Sequence, residues 1–145
     1  MSYQKRAMFM LFGFAGLVIL VGCPVRQPDL LSVDLSGGGQ GPFCRMATPQ
    51  PPYKLVITVK NLGNADAPSS ITKVEFGYRG TNPTVITAET LPIAAGRSVD
   101  VVVDIPFGSP GCARNACEFR ITVDSDNRTR ESNEQNNTSL GSCFS

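Results

Sequence analysis

The strongest constraint on the fold is an alternation of apolar and polar residues that recurs in short runs along the chain. This alternation places successive side chains on opposite faces of a β-strand, so that each run has one face for a core and one for solvent. Glycine, proline and asparagine turns separate the runs. The clearest apolar faces are Leu55, Ile57 and Val59; Val99, Val101, Val103 and Ile105; and Phe119, Ile121 and Val123.

Weaker runs bring the number of predicted strands to about seven. The first begins at Asp29 and is predicted to turn Leu31, Val33 and Leu35 toward the core. Further strands are expected around residues 73–79, 84–91 and 138–144, and no segment after the first 22 residues has the pattern of an amphipathic helix. The sequence therefore predicts an all-β fold, an antiparallel two-layer sandwich formed by residues 29–145.

The N-terminus has the features of an export signal. Lys5 and Arg6 precede an apolar run over residues 7–21, and small residues close it. The last four residues before Pro24, Leu-Val-Gly-Cys, resemble a bacterial lipobox, which implies a diacylglyceryl group on Cys23 and cleavage just before it. We therefore expect residues 1–22 to be a helical signal peptide and residues 23–28 a short tether. A retained transmembrane helix is the alternative. A membrane span needs about 20 apolar residues, and the apolar run over residues 7–21 is shorter than that.

The charge of the chain limits its partners. The formal net charge is +1, and removal of Lys5 and Arg6 leaves the mature chain close to neutral. A basic surface for nucleic acid is therefore not expected, and the lipid on Cys23 is the predicted contact with a membrane. Since Pro24 follows the cysteine where an aspartate would favour retention, the lipobox resemblance implies the outer membrane or the cell surface of a bacterium.

Four cysteines remain once Cys23 carries the lipid. An even number of cysteines outside the cytoplasm favours disulfides, here Cys112 with Cys117 across a short segment and Cys44 with Cys143 across a long one. Other pairings stay open, because four cysteines allow three connectivities. A four-cysteine zinc site is the competing interpretation, but the paired Cys-x-x-Cys spacing of such sites is missing.

Two segments carry a resemblance to a known family. Residues 53–68 contain Asn61-Leu-Gly63 directly after a predicted strand, and residues 121–137 contain Val-Asp-x-Asp-Asn followed by Glu-Ser-Asn-Glu-x-Asn-Asn. Together with the turn over residues 91–96, they resemble a CARDB domain, the cell-adhesion-related domain found in bacteria. The resemblance implies an immunoglobulin-like sandwich of seven strands and a binding role at the cell envelope, usually without enzymatic activity. The Gly/Pro-rich segment before Tyr53 and the four cysteines depart from the family pattern.

The second of these segments also concentrates oxygen ligands. Asp124, Asp126, Asn127 and Glu131 are candidates for calcium, which prefers carboxylate and amide oxygens. The spacing departs from an EF-hand loop, because the turn glycine is missing and Gln135 stands where the last glutamate would be. A structural hairpin turn is the alternative, with Asn133, Asn136 and Asn137 as turn residues. In that case, carboxylates such as Glu131 would be solvated or paired with Arg128 and Arg130.

Enzymatic chemistry lacks its usual residues in this chain. It has no histidine to activate a serine or cysteine nucleophile, and no tryptophan to form a sugar platform beside paired carboxylates. We therefore expect a non-catalytic, lipid-anchored envelope protein without a cofactor, which mediates adhesion or binds an envelope protein or surface glycan. The alternatives are a structural or accessory subunit of an envelope or filament assembly, and a calcium-dependent adhesion module.

Overall fold

The computed structural model describes residues 25–36, 41–47, 52–109, 111–113 and 116–144. Within these ranges the chain forms seven strands and no helix, which confirms the predicted all-β class. The expected signal-peptide helix, Cys23 and the glycine run at residues 37–39 lie outside the described residues. The strands are β1 (Leu30–Val33), β2 (Lys54–Asn61), β3 (Ser70–Phe76), β4 (Thr84–Thr90), β5 (Ser98–Asp104), β6 (Ala116–Thr122) and β7 (Thr138–Phe144).

The strands form two antiparallel sheets that pack face to face. One sheet has the order β1-β2-β5 and the other has the order β4-β3-β6-β7. The alternation in β2, β5 and β6 points the predicted apolar faces inward, and the rings of Phe76 and Phe119 meet at the centre with their centroids 5.7 Å apart. The sandwich prediction is therefore confirmed, because the predicted apolar faces of β2, β5 and β6 meet between the two sheets.

The orientation predicted for β1 is wrong by one residue. Leu30 and Ser32 face the core, whereas Leu31 and Val33 are only partly buried and Leu35 lies beyond the strand with 51% of its surface exposed. The neighbouring leucines at positions 30 and 31 made both orientations compatible with the pattern. A tertiary contact decides between them, since the backbone N–H of Leu30 donates to the buried Glu131 carboxylate.

β2 pairs with β5 along one edge, and two separate segments share its other edge. β1 pairs with the end of β2, whereas residues 45–47 pair with its beginning. The backbone N–H of Val56 donates to the Arg45 carbonyl oxygen at 2.7 Å, and that of Ala47 donates to the Lys54 carbonyl oxygen at 2.9 Å. Cys44 directly precedes this second segment and is buried beside the opposite sheet.

A buried asparagine ties two loops to the end of β2. The Asn61 side chain uses its full hydrogen-bonding capacity: Oδ1 accepts from the N–H groups of Asp29 and Gly63, and Nδ2 donates to the carbonyl oxygens of Ala65 and Ile93. Its exposed fraction is 0%. The Asn-x-Gly segment of the sequence is therefore a structural element, because it satisfies backbone groups that would otherwise be buried without partners.

The alternating strand direction sorts the connections into two groups. We call one end of the sandwich the proximal end, since the described chain begins there. It holds Gln27, the loops over residues 62–69 and 91–97, and the hairpin over residues 123–137. We call the opposite end the distal end, and it holds residues 41–47, 77–83, 105–109 and 111–113. The four described cysteines lie at the distal end, because the alternating strand directions bring their segments together there.

Candidate functional site

Two disulfides fix the distal end. Cys44 pairs with Cys143 at a Cα–Cα distance of 5.2 Å, and Cys112 pairs with Cys117 at 4.5 Å. The first bond links the segment beside β2 to β7 and so joins the two sheets, while the second closes the loop that leads into β6. Both pairings agree with the expected ones. The distal loops are thus held in place by covalent bonds in addition to packing.

The distal end carries an aromatic and cationic cluster on the outer face of the four-stranded sheet. The guanidinium carbons of Arg79 and Arg120 each lie 5.6 Å from the centroid of the Tyr78 ring. Arg79 approaches Glu118 at 3.2 Å, and Arg120 donates to Glu75 at 2.8 Å. The hydrogen bond from Arg120, helped by Lys73, lowers the pKa of Glu75 below its ordinary value. These ion pairs hold both guanidinium groups against the ring.

Two shallow concavities adjoin this cluster and share Arg79. The larger, about 310 Å³, is lined by a glycine-rich turn with the polar side chains of Thr81 and Asn82. The smaller, about 150 Å³, is bounded by Tyr78, Glu118 and the half-exposed Leu140 of β7. We call Tyr78, Arg79, Glu118, Arg120 and Leu140 the Tyr78 surface. It combines apolar, aromatic and charged groups that are already oriented, as in protein interfaces.

Sequence reasoning did not identify the Tyr78 surface. The sequence predicts a strand over residues 73–79 that would include Tyr78, but β3 ends at Phe76 and Gly77 takes a positive φ of 67°, which turns the chain outward. A glycine directly after the last buried aromatic residue is the available signal, since glycine favours this backbone conformation. Tyr78 is therefore partly exposed and available for contacts with a ligand.

At the proximal end, Asp124 stabilises the hairpin over residues 123–137 by accepting hydrogen bonds from its backbone. Its carboxylate accepts the N–H groups of Arg128 at 3.1 Å and Thr129 at 3.0 Å, and its backbone has a positive φ of 47°. Burial raises the pKa of Asp124 above its ordinary value, although the two backbone donors act in the opposite direction. Asp124 thus acts here as a turn residue whose oxygens face backbone donors.

The burial and the partners of Glu131 differ from those that the sequence predicts. It was expected to be solvated or paired with Arg128 or Arg130, but it is only 5% exposed, and its oxygens accept the Leu30 N–H and, at 3.1 Å, the Asn137 side-chain amide. The reason is that β1 begins against the hairpin and needs an acceptor for its first N–H. Burial raises the pKa of Glu131 to about 7, and the charge of Glu134 adds to this shift.

The remaining calcium candidates lie at the surface of the same hairpin. Asp126 accepts the Ile71 N–H at 3.0 Å and pairs with Arg128, while Asn127 has a positive φ of 48° in the turn. In the described part of the chain, no three histidine, cysteine or acidic side chains are grouped as a metal site would require. The arrangement is what a structural hairpin needs, and calcium binding stays a hypothesis.

The predicted turn asparagines make local and longer contacts. Asn133 accepts the N–H of Gln135, and the Asn136 amide donates to Asp29 at 2.7 Å. The hairpin also receives the start of the chain, since the Ser132 N–H donates to the Pro28 carbonyl oxygen. Residues 27–29 are therefore packed against the domain and do not form a free tether.

The CARDB family model matches residues 44–140 of this chain. The chain belongs to the CARDB family. A CARDB domain structure from Pyrococcus furiosus, determined in complex with di-metal ions, is 20% identical with a TM-score of 0.53, and the match covers 84% of this chain and 96% of that one. A domain of a protein described as a cell surface protein, from Methanosarcina acetivorans, is 20% identical with a TM-score of 0.59, covering 82% and 92%. No curated protein sequence matches the chain.

In this CARDB domain, the motifs that carry the resemblance lie at the proximal end and serve the fold. Asn61 and Asp124 each satisfy buried backbone groups. The disulfides, which depart from the family pattern, lie at the distal end with the Tyr78 surface. Cys23 itself lies outside the described residues, and among those described no helix is long and apolar enough to cross a bilayer. The part of the domain that departs from the family pattern is therefore the candidate functional site.

Proposed function

We propose that this CARDB protein is a non-catalytic, lipid-anchored protein of a bacterial envelope that binds an envelope protein or a surface glycan through the Tyr78 surface. The lipobox-like sequence ending at Cys23 supports the anchor. The relative described as a cell surface protein supports an extracellular location. The lack of histidine supports a role in binding over one in catalysis.

The observation that carries this proposal is the packing of residues 27–29 against the proximal end. The Gln27 N–H donates to the Asn64 side chain at 2.9 Å, and Pro28 is buried. The tether between Cys23 and Gln27 then reaches at most about 14 Å, at roughly 3.5 Å per residue. An anchor this short keeps the proximal end near the lipid. The distal end and the outer sheet faces are left to meet a partner.

The chemistry of the Tyr78 surface suits such a partner. Tyrosine and arginine are enriched among the residues that dominate binding energy, because they offer large contact areas and several hydrogen bonds. The ion pairs with Glu75 and Glu118 fix the arginines before binding, which lowers the entropy lost on association. The polar concavity beside Arg79 could accept a sugar ring or a polar side chain.

A pull-down and a mass measurement test the two parts separately. The native protein purified from its host should begin at an acylated Cys23, and an intact Met1 with an unmodified Cys23 would refute the anchor. In detergent extract, the wild-type protein should capture a partner that Tyr78→Ala and Arg79→Ala lose. Asn133→Ala, on the proximal end, is the matched control and should keep capture. Equal capture by all variants would refute the Tyr78 surface as the site.

A calcium-dependent adhesion module is the competing proposal. The relative determined with di-metal ions motivates it. In this chain, the buried side-chain oxygens of Thr129 and Asn137 accept no hydrogen bond, so that the hairpin holds oxygens without partners. This proposal expects a chelator to lower the melting temperature and Asp124→Ala to remove the difference. An unchanged melting temperature would exclude it.

A further inference from the structure

Three of the four sheet edges are protected against pairing with another chain. β1 is only four residues long, and β5 carries Asp100 and Asp104. The edge of β7 is covered by residues 41–42, because the Ser142 N–H donates to the Pro42 carbonyl oxygen at 3.0 Å. Short strands, charges and covering segments are the usual means by which sheet proteins avoid edge-to-edge contacts.

The fourth edge, β4, has little such protection. Its seven residues read Thr-Val-Ile-Thr-Ala-Glu-Thr, with Glu89 as the single charge and neither proline nor glycine. Val85 is 52% exposed on its outer face. β4 pairs with β3 on one side, and the described residues provide no main-chain partner on the other. The open edge is thus long, regular and rich in β-branched residues, which favours addition of a strand.

We propose that β4 pairs antiparallel with β4 of a second copy of this chain, centred on Thr87. This register places Val85 opposite Glu89 of the second copy, and Thr87 opposite its own equivalent. The two Glu89 charges are then separated, whereas a register that placed them face to face would be repulsive. Self-pairing is therefore compatible with the charges of β4, and it joins two four-stranded sheets into one of eight strands with two-fold symmetry.

The antiparallel geometry also determines where the two anchors lie. Because β4 runs in opposite directions in the two copies, their proximal ends lie at opposite ends of the pair. Copies anchored at Cys23 would then meet most readily from two facing membranes. This consequence rests on the proposed anchor, whereas the pairing itself does not.

Cysteine cross-linking of the full-length protein, purified in detergent and kept under oxidising conditions, tests the pairing and its register without depending on the anchor. Thr87→Cys should give a disulfide-linked dimer, since directly opposite residues have Cβ atoms about 5 Å apart. Val85→Cys and Glu89→Cys should each stay monomeric alone and should cross-link when the two purified variants are mixed. The absence of a Thr87→Cys dimer would refute the proposal, and so would equally strong cross-linking of Val85→Cys alone.

Charge substitutions provide a second test, in which sedimentation in detergent measures the association of the two copies. Thr87→Glu places two like charges opposite each other across the pair, so that association should weaken about two- to fivefold. The new glutamate faces Lys73 within its own sheet, so that the fold should be kept. Val85→Lys faces Glu75 in its own sheet and Glu89 of the second copy, and should strengthen association by a similar factor. Association that neither variant changes would contradict the pairing. Tyr78→Ala should leave association intact, which separates this proposal from the binding function.

Discussion

The two ends of the sandwich use the same kinds of polar residue in opposite ways. At the proximal end, Asp124, Glu131 and Asn61 are buried and turned toward backbone groups of the chain itself. At the distal end, Arg79, Glu118 and Arg120 lie at the surface and hold one another around Tyr78. The proximal side chains form hydrogen bonds with backbone groups in long loops that lack strand partners. The distal side chains stay at the surface, already oriented for contact with another molecule.

The comparison shows why an acidic, asparagine-rich motif is weak evidence for ligand binding. Buried carboxylates at the proximal end already have N–H donors, so that their role is stability. The distal loops are held by two disulfides. Covalent bonds can fix loops without using the side chains that a binding surface needs.

The largest expected effect concerns the distal disulfides. Removing the bond between Cys44 and Cys143 with a double serine variant should lower the free energy of unfolding by about 4 to 5 kcal/mol, because the bond closes a loop with a sequence separation of 99. The matching variant of Cys112 and Cys117, with a separation of 5, should lose about 2 kcal/mol. Urea unfolding under oxidising conditions measures both. An equal loss from the two variants would contradict the expected dependence on loop length.

The next effect is the pH dependence that Glu131 gives to the proximal end. Its pKa is raised from 4.5 to about 7 in the folded state, so that its contribution to stability is full below pH 4.5 and is lost as the pH rises through 7. The shift corresponds to about 3 kcal/mol of unfolding free energy. Urea unfolding at pH 5 and pH 8 should show this decrease.

Glu131→Gln is the control for that prediction. The amide keeps an acceptor for one donor but cannot ionise, so that most of the decrease between pH 5 and pH 8 should disappear. A variant with the full wild-type pH dependence would show that Glu131 is not the responsible group.

A smaller effect on stability is expected at the Tyr78 surface. Tyr78→Ala removes two partly exposed cation–π contacts, which should cost about 1 kcal/mol or less. Thermal unfolding should therefore change by only a few degrees. A loss as large as that of the Cys44 variant would mean that Tyr78 serves the fold, and the contrast between the two ends would fail.

The smallest expected effect is that of calcium on the proximal end. Because Asp124, Asp126 and Glu131 already accept N–H groups, adding calcium or a chelator should shift the melting temperature by less than about 1 °C. Differential scanning fluorimetry with Asp126→Ala as control measures this shift. A clear stabilisation by calcium that Asp126→Ala removes would favour the competing proposal.

The sequence alone predicts much of the fold because most strands have one dry and one wet face. The alternation of valine, isoleucine and phenylalanine predicts β2, β5 and β6, and the spacing of the cysteines favours the observed pairing among the three possible ones. The prediction failed where apolar residues are adjacent, as at Leu30 and Leu31, because the pattern then permits two orientations. It also missed Thr72 and Thr90, whose hydroxyls meet in the core at 2.7 Å, since polar residues in the core break the pattern.

The candidate site was less accessible to sequence reasoning. Tyr78, Arg79 and Arg120 come from a turn and from β6, and their proximity depends on the pairing of β3 with β6. Glu131 is separated from Leu30 by 101 residues, so that its burial depends on where β1 begins. Such contacts come from the tertiary arrangement and not from local spacing, which explains why the acidic hairpin was easier to notice than the distal surface.

The most direct test of the contrast between the two ends is photo-cross-linking in the native envelope. A photoreactive amino acid at position 78 reports on the distal end, and one at Asn133 reports on the proximal end. Our account predicts a specific adduct with another envelope molecule from position 78, and contacts with lipid or none from position 133. A specific adduct from position 133 together with none from position 78 would contradict it.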